Sequence, residues 1–305
     1  MKTSLEHLPE SKRRELALAT EILFAEFQDA IVGGTMPHKR QGRILKIVLF
    51  GSYARGDWVE DPVGGYVSDY DLLVVVNYEQ LTETLEYWAK AADHLLREYE
   101  IGRHLSAPVN FIVHSMTDVN RRLRLGRYFF TDIVRDGIAL YEAPGYPFDR
   151  PKRLASSEAL AEAEGFFSEW FPSAGQYLET GQDHIRKGSE WSKKAAFEFH
   201  QATERLYHCV LLIFTLYSPK SHKLNFLRSQ AEQLDARLAE AWPRGTRFEQ
   251  RCFELLRRAY VDARYSPHYK ITTEELAWLS ERIAVLQGLV RMVCEERLKV
   301  LRADD

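Results

Sequence analysis

Two aspartates one residue apart, Asp69 and Asp71, stand where the apolar run Leu72-Leu73-Val74-Val75-Val76 begins. Side chains alternate along an extended chain, so both carboxylates fall on the same side. Like charges that close are costly unless a cation or hydrogen bonds satisfy them. Mg²⁺ held between carboxylates and nucleotide phosphates is one way to do so. Upstream, the apolar run from Ile44 to Phe50 passes directly into Gly51-Ser52-Tyr53-Ala54-Arg55. A glycine–serine turn that ends a buried strand and opens a helix offers backbone N–H groups and a hydroxyl to a phosphate. Taken singly, each feature has an ordinary reading: Gly-Ser turns are common, and an Asp-x-Asp pair can be a solvated strand edge. In succession on neighbouring strands they point to a bound nucleotide and its metal. A second pair lies far downstream, in Ala263-Arg264-Tyr265-Ser266-Pro267-His268-Tyr269. An imidazole can move the 2′-hydroxyl or leaving-group proton of RNA, and a guanidinium can stabilise phosphorane charge. Arg264 and His268 therefore suit a metal-independent ribonuclease, against the plain alternative of a solvated basic helix ended by a Ser-Pro turn.

The elements that must position these groups are legible in the pattern. Strands are expected at Ile44 to Phe50, Asp71 to Val76, Val109 to Val113 and Ile138 to Tyr141, with helices over residues 9–31 and 81–99. The segment from Glu142 to Pro151 carries three prolines and a glycine and reads as a linker. Beyond it the strand signal stops. Residues 155–180, 189–217, 225–240, 247–265 and 273–301 all read as helices, separated by Gly181 to Gly188, Ser218-Pro219, Trp242 to Gly245 and Ser266-Pro267. The expected fold class is α+β, a mixed sheet with flanking helices over residues 1–145 and an all-α bundle over residues 152–305.

Composition narrows the function classes. The chain has 305 residues, 45% hydrophobic and 28% charged, which excludes disorder over most of the length. Its apolar runs, such as Cys209 to Leu216, fall short of the roughly 18 residues a membrane span needs. The first residues, Met1-Lys2-Thr3-Ser4-Leu5-Glu6, lack the apolar core of a secretory signal. Cys209, Cys252 and Cys294 are widely spaced and suggest neither a zinc site nor a disulfide framework, so a cytoplasmic protein is expected. Residues 1–150 carry 18 basic and 22 acidic side chains, residues 151–305 carry 23 and 22. Neither half is a strongly basic nucleic-acid module, so any RNA contact must rest on a local patch.

Gly51-Ser52 followed by Asp69-x-Asp71 resembles the signature of the DNA-polymerase-β-like nucleotidyltransferases, especially the minimal ones. The resemblance implies that Gly51 and Ser52 hold the triphosphate of ATP, that Asp69 and Asp71 bind Mg²⁺, and that Arg55 is a further phosphate contact. Two departures stand out. Sixteen residues separate Ser52 from Asp69, against about ten in the family; the added segment, Asp57 to Tyr66, is expected as a loop over the site. The family's third acid, on a later strand, is replaced by Asn110 in Pro108-Val109-Asn110-Phe111. Asparagine is neutral and a poor base, so the transferase is expected to be slow, to use one metal, or to take a base from elsewhere, with His114 a candidate.

The run Phe199-His200-Gln201-Ala202-Thr203-Glu204 is, from its residues, a core stripe of an amphipathic helix. With His222-Lys223-Leu224 it also resembles HEPN domains, whose RNA-cleaving members carry Arg, four to six residues, then His. Three residues separate Arg264 from His268 here. Arg251, Arg257 and Arg258 precede them as possible phosphate contacts. In one toxin–antitoxin class, a minimal nucleotidyltransferase silences a HEPN ribonuclease by transferring AMP to a tyrosine beside this motif. The acceptor expected here is Tyr265 or Tyr269, which flank it. The resemblance further implies a homodimer or higher oligomer. The competing readings are a small-molecule nucleotidyltransferase of the aminoglycoside-modifying kind, and a non-catalytic nucleotide- or RNA-binding protein.

Overall fold

All seven residues of Ile44–Phe50 are buried, Lys46 among them. A strand in that position is covered on both faces, which is why its sequence reads as a continuous apolar run. Buried Lys46 is tolerable because its ammonium pairs with Glu142 and lies 4.8 Å from the Phe148 ring centroid. The computed structural model describes residues 1–61 and 66–303, and the chain divides into two units, Met1–Arg153 and Leu154–Asp305.

In the first unit the strands are β1 (Ile44–Phe50), β2 (Glu60–Asp61), β3 (Tyr66–Val67), β4 (Tyr70–Val76), β5 (Val109–Ser115) and β6 (Ile138–Glu142). The main sheet has the order β5-β4-β1-β6, with β4 and β5 parallel and the other pairs antiparallel. Around it lie helices α1 (Glu10–Ile31), α2 (Pro37–Arg40), α3 (Gly51–Arg55), α4 (Thr84–Tyr87), α5 (Ala89–Arg97), α6 (Met116–Arg124) and α7 (Tyr128–Asp136). Helix α1 buries Leu16, Ala19, Ile22, Leu23 and Phe27, the periodic stripe of its sequence, and Phe27 stacks on Trp88 at 4.9 Å. The same helix carries two buried charges that brace the start of β4. Glu15 accepts from the Tyr70 hydroxyl at 2.9 Å and from the Ser106 backbone at 2.9 Å, while Lys12 donates to Ser106 Oγ at 2.6 Å.

The single helix expected over 81–99 is instead a 3₁₀ turn, α4, α5 and a π turn at Glu98–Gly102. The break falls at Trp88, whose buried indole N–H donates to the Leu81 carbonyl at 2.7 Å. That bond needs the chain to fold back, and a straight helix would forfeit it.

The second unit is built from α8 (Ser156–Lys187), α9 (Ser192–Thr215), α10 (Leu224–Leu234), α11 (Arg247–Tyr265) and α12 (Thr273–Ala303). Helix α11 opens with a capping box between Thr246 and Glu249. The helix expected over 225–240 stops at Leu234, because Asp235 caps a following 3₁₀ turn by accepting from the Arg237 N–H at 3.0 Å. Gly181, expected to break the chain, lies inside α8. A Cβ there would sit 2.4 Å from Phe199 Cε1, so the glycine is a close-approach residue between α8 and α9. Phe199 is fully buried and cannot swing away. Gly181→Ala should therefore cost about 1–3 kcal/mol by overpacking, read as a lower thermal midpoint with the helical signal retained. The three cysteines are free and buried. Among the described residues, no helix is long and apolar enough to cross a membrane.

Candidate functional site

Strand register gathers the first constellation. Phe50 of β1 pairs with Asp71 of β4, and Asp71 pairs with Asn110 of β5. The Gly-Ser turn, the second aspartate and the asparagine thus stand side by side across three strands. Asp69 precedes β4, and its Oδ2 accepts from Asn110 Nδ2 at 2.8 Å. Gly51 has φ +74°, a left-handed value that a side chain resists, and α3 starts there. Ser52 is 4% exposed, and among the described residues its hydroxyl has no hydrogen-bond partner. An unsatisfied buried hydroxyl costs free energy that an incoming phosphate oxygen would recover. Behind the turn, Tyr53 packs on Tyr70 at 4.3 Å and on Trp58 at 5.4 Å, which fixes the height of α3 over the sheet.

The described ends of the added segment after α3 form a ribbon. β2 and β3 pair, Val59 N–H donates to Ser68 Oγ at 2.9 Å, and Glu60 forms an ion pair with Lys12. Pro62 to Gly65, the centre of the expected loop over the site, lie outside the described residues. Arg55 ends α3 and donates Nε to Asp57 at 3.1 Å. His114 does not fit the base role. It lies four residues beyond Asn110, about 13 Å along the strand, and its Nδ1 is engaged with Asp118 at 2.8 Å.

Asp132 was not singled out by the sequence. It sits on α7, one turn after Phe129, which packs on Phe50 at 5.5 Å at the end of β1. Partial burial, with about half of the side chain still exposed, pushes its carboxyl above the usual range; Arg135, 2.9 Å away, opposes this and Asp136 adds to it. A raised carboxyl pKa suits a proton acceptor. No helix was expected over this segment, although Phe130 and Ile133, the residues α7 buries, stand at helical spacing.

In the second unit Arg264 and His268 are both exposed. Arg264 Nε donates to the Tyr260 carbonyl at 2.6 Å, and its guanidinium lies 4.4 Å from the Tyr260 ring, 4.9 Å from Phe197 and 5.0 Å from Tyr265. The three other arginines proposed as phosphate contacts are engaged: Arg251 with Glu275, Arg257 with Glu254, Arg258 with Asp262. The two flanking tyrosines differ sharply. Tyr265 is 73% exposed, whereas Tyr269 is 3% exposed and donates its hydroxyl to the Leu255 carbonyl at 2.9 Å. Burial pushes the Tyr269 phenol well above its ordinary pKa, which weakens it further as a nucleophile.

Comparison with known proteins fits this geometry. The family described as Polymerase beta, Nucleotidyltransferase matches residues 37–123, and the HEPN domain matches residues 167–291. A Methanocaldococcus jannaschii protein named as a protein adenylyltransferase is 33% identical over 103 residues, 34% of this chain and 84% of that relative. The chain belongs to the polymerase-β nucleotidyltransferase family, with a HEPN domain fused to it. The nucleotidyltransferase unit implies a nucleoside triphosphate as substrate, and the family generally uses a divalent metal with it.

The residues present fit such a metal in part. Asp69 and Asp71 are hard oxygen donors flanking Asn110, and the turn that carries Ser52 follows the strand residue paired with Asp71. Among the described residues no three His, Cys, Asp or Glu side chains converge on a metal position. A cation here would draw the rest of its shell from phosphate and water, as Mg²⁺ commonly does. When bound, it would supply Lewis-acid polarisation of the phosphate being transferred. Asn110 turns its N–H₂ to Asp69 and so holds that carboxylate in place, but it has no charge to offer and cannot take a proton.

Proposed function

We propose that this protein is an ATP- and Mg²⁺-dependent adenylyltransferase whose acceptor is Tyr265 of the HEPN domain, and that the HEPN domain is a ribonuclease silenced by that modification. The observation that carries the acceptor is the contrast between the two tyrosines. Tyr265 presents its phenol to solvent beside the Arg264 guanidinium, and Tyr269 has its hydroxyl buried in a backbone bond. The name of the M. jannaschii relative supports protein as the acceptor class. In the transfer, the tyrosine oxygen forms a bond to the α-phosphorus and the bond to the bridging β-phosphate oxygen breaks. Pyrophosphate leaves, and the phenolic proton passes to solvent or to a carboxylate such as Asp132. Ser52 and the backbone after Gly51 hold phosphate oxygens. The adenylyl group then places a negative phosphate beside Arg264, where it competes with the phosphate of RNA. A toxin–antitoxin or phage-defence role in the cytoplasm, as a homodimer or higher oligomer, follows from this reading. Light scattering at micromolar concentration tests the oligomer, and a monomer would refute it.

The test of the acceptor is intact mass before and after incubation with ATP and Mg²⁺. The wild-type chain should gain one AMP unit that maps to the peptide carrying Tyr265. Tyr265→Phe should abolish the gain, whereas Tyr269→Phe should keep it while lowering thermal stability by about 1 kcal/mol through the lost hydroxyl bond. Transfer that survives Tyr265→Phe would move the acceptor elsewhere.

A further inference from the structure

His222 is the histidine that the structure equips for proton transfer in the HEPN unit. Its Nδ1 lies 3.0 Å from both oxygens of Glu204, which is 7% exposed. Burial would raise the Glu204 carboxyl, but the imidazoles of His200 at 3.4 Å, His208 at 3.7 Å and His222 at 3.0 Å more than offset it and hold the group well below the usual range. A buried carboxylate that stays ionised accepts from Nδ1–H, fixes the tautomer and leaves Nε2 with its lone pair outward. The His222 side chain is 53% exposed, and among the described residues its Nε2 makes no hydrogen bond. Its ring stacks on Tyr260 at 4.2 Å and 13°. Arg264 lies 4.4 Å from the same ring centroid and, among the described residues, has no carboxylate partner. An open imidazole and an open guanidinium thus both lie against the Tyr260 ring. His268 has none of this support: it is exposed on the turn after α11, and no carboxylate orients it among the described residues.

We propose that His222, oriented by Glu204, carries the proton at an RNA phosphodiester site whose cation is Arg264, and that His268 is not the catalytic histidine. The proposal rests on the ribonuclease reading above. His222 Nε2 takes the 2′-hydroxyl proton as the 2′-oxygen bonds to phosphorus. The bond from phosphorus to the 5′-oxygen breaks, and solvent water protonates that oxygen. The products are a 2′,3′-cyclic phosphate and a 5′-hydroxyl, and His222 returns its proton to solvent. Arg264 stabilises the charge on the phosphorane. Among the described residues, His200, His208, Tyr260 and Arg264 are titratable or charged groups that lie around the His222–Glu204 pair, with Lys223 next to it in the chain.

The test uses the full chain, with intact mass confirming no AMP, on single-stranded RNA and on the same RNA made non-cleavable by 2′-O-methylation. His222→Asn keeps a donor for Glu204 but removes Nε2. It should lose cleavage by about 100-fold or more while binding the non-cleavable RNA within about threefold of wild type. His268→Ala should cleave within about threefold of wild type. Glu204→Gln should move the acid limb of the pH–rate profile to lower pH, which a purely structural loss would not do. Cleavage lost in His268→Ala and kept in His222→Asn would overturn the assignment. If the wild-type chain cleaves no RNA, the ribonuclease reading fails and the proton-transfer role fails with it. The binding site is then decided separately by imidazole NMR with the non-cleavable RNA. A shift at His222 sustains that site, and a shift at His268 alone, or at neither, overturns it.

Discussion

Replacing both aspartates, Asp69→Asn with Asp71→Asn, should lower AMP transfer by at least about a thousandfold, or about 4 kcal/mol of transition-state stabilisation. The same variant should stay about as stable as wild type without metal, because relief of carboxylate repulsion offsets the lost charge assistance in the Asn110 bond to Asp69. Asp71 is fully buried, and Asp69 stands two residues away on the same side of the chain. Two carboxylates held together without a cation repel, and amides of the same shape relieve that repulsion. The pairing of outcomes separates this reading from simple unfolding. Calorimetry should find the metal-free midpoint about unchanged, and the rise that Mg²⁺ gives the wild type by mass action should disappear. Transfer that persists in the variant would refute the metal assignment. A variant that unfolds would instead mean that the carboxylates are structural hydrogen-bond acceptors.

How much of this was legible in the sequence depends on the reach of each interaction. The strands β1 and β4 were visible because strands buried on both faces must be apolar throughout, and β5, a half-buried edge strand, showed as the short apolar run after Pro108. The alignment of Gly51, Asp71 and Asn110 followed once those strands were seen, since chemistry-bearing residues at their ends have few other places to go. The fold class was legible for the same reason. What was hidden came from contacts distant in sequence. Gly181 looks like a helix breaker until Phe199 is placed against it. The Trp88 break depends on a single indole bond. Asp132 acquires its raised carboxyl from partial burial on α7 and from Asp136. Glu204 and His222 are eighteen residues apart across a loop, so no spacing rule pairs them. The Arg264–His268 pair is the converse case. It was legible as a sequence pair, while the aromatic setting of Arg264, and the lack among the described residues of a carboxylate orienting His268, were not.

Asn110→Asp should restore the third acid, and its consequences should have opposite signs with and without metal. In the metal-free protein the substitution removes the Asn110 N–H₂ bond to Asp69, a charge-assisted bond of about 1.5–3 kcal/mol. It also sets a third carboxylate in register beside buried Asp71. The thermal midpoint should therefore fall. With Mg²⁺ the same carboxylate becomes a ligand, so the midpoint should recover and rise more steeply with Mg²⁺ concentration than in the wild type. Transfer of AMP should increase by about tenfold or more, because the site gains both a negative ligand and a group able to accept the phenolic proton. A variant that is destabilised in the absence of metal, unrescued by Mg²⁺ and no faster would place Asn110 as a structural clamp on Asp69 and send the search for the base to Asp132. A faster variant would mean that the asparagine limits the rate of this chain, as expected if the transfer need occur only once per HEPN domain.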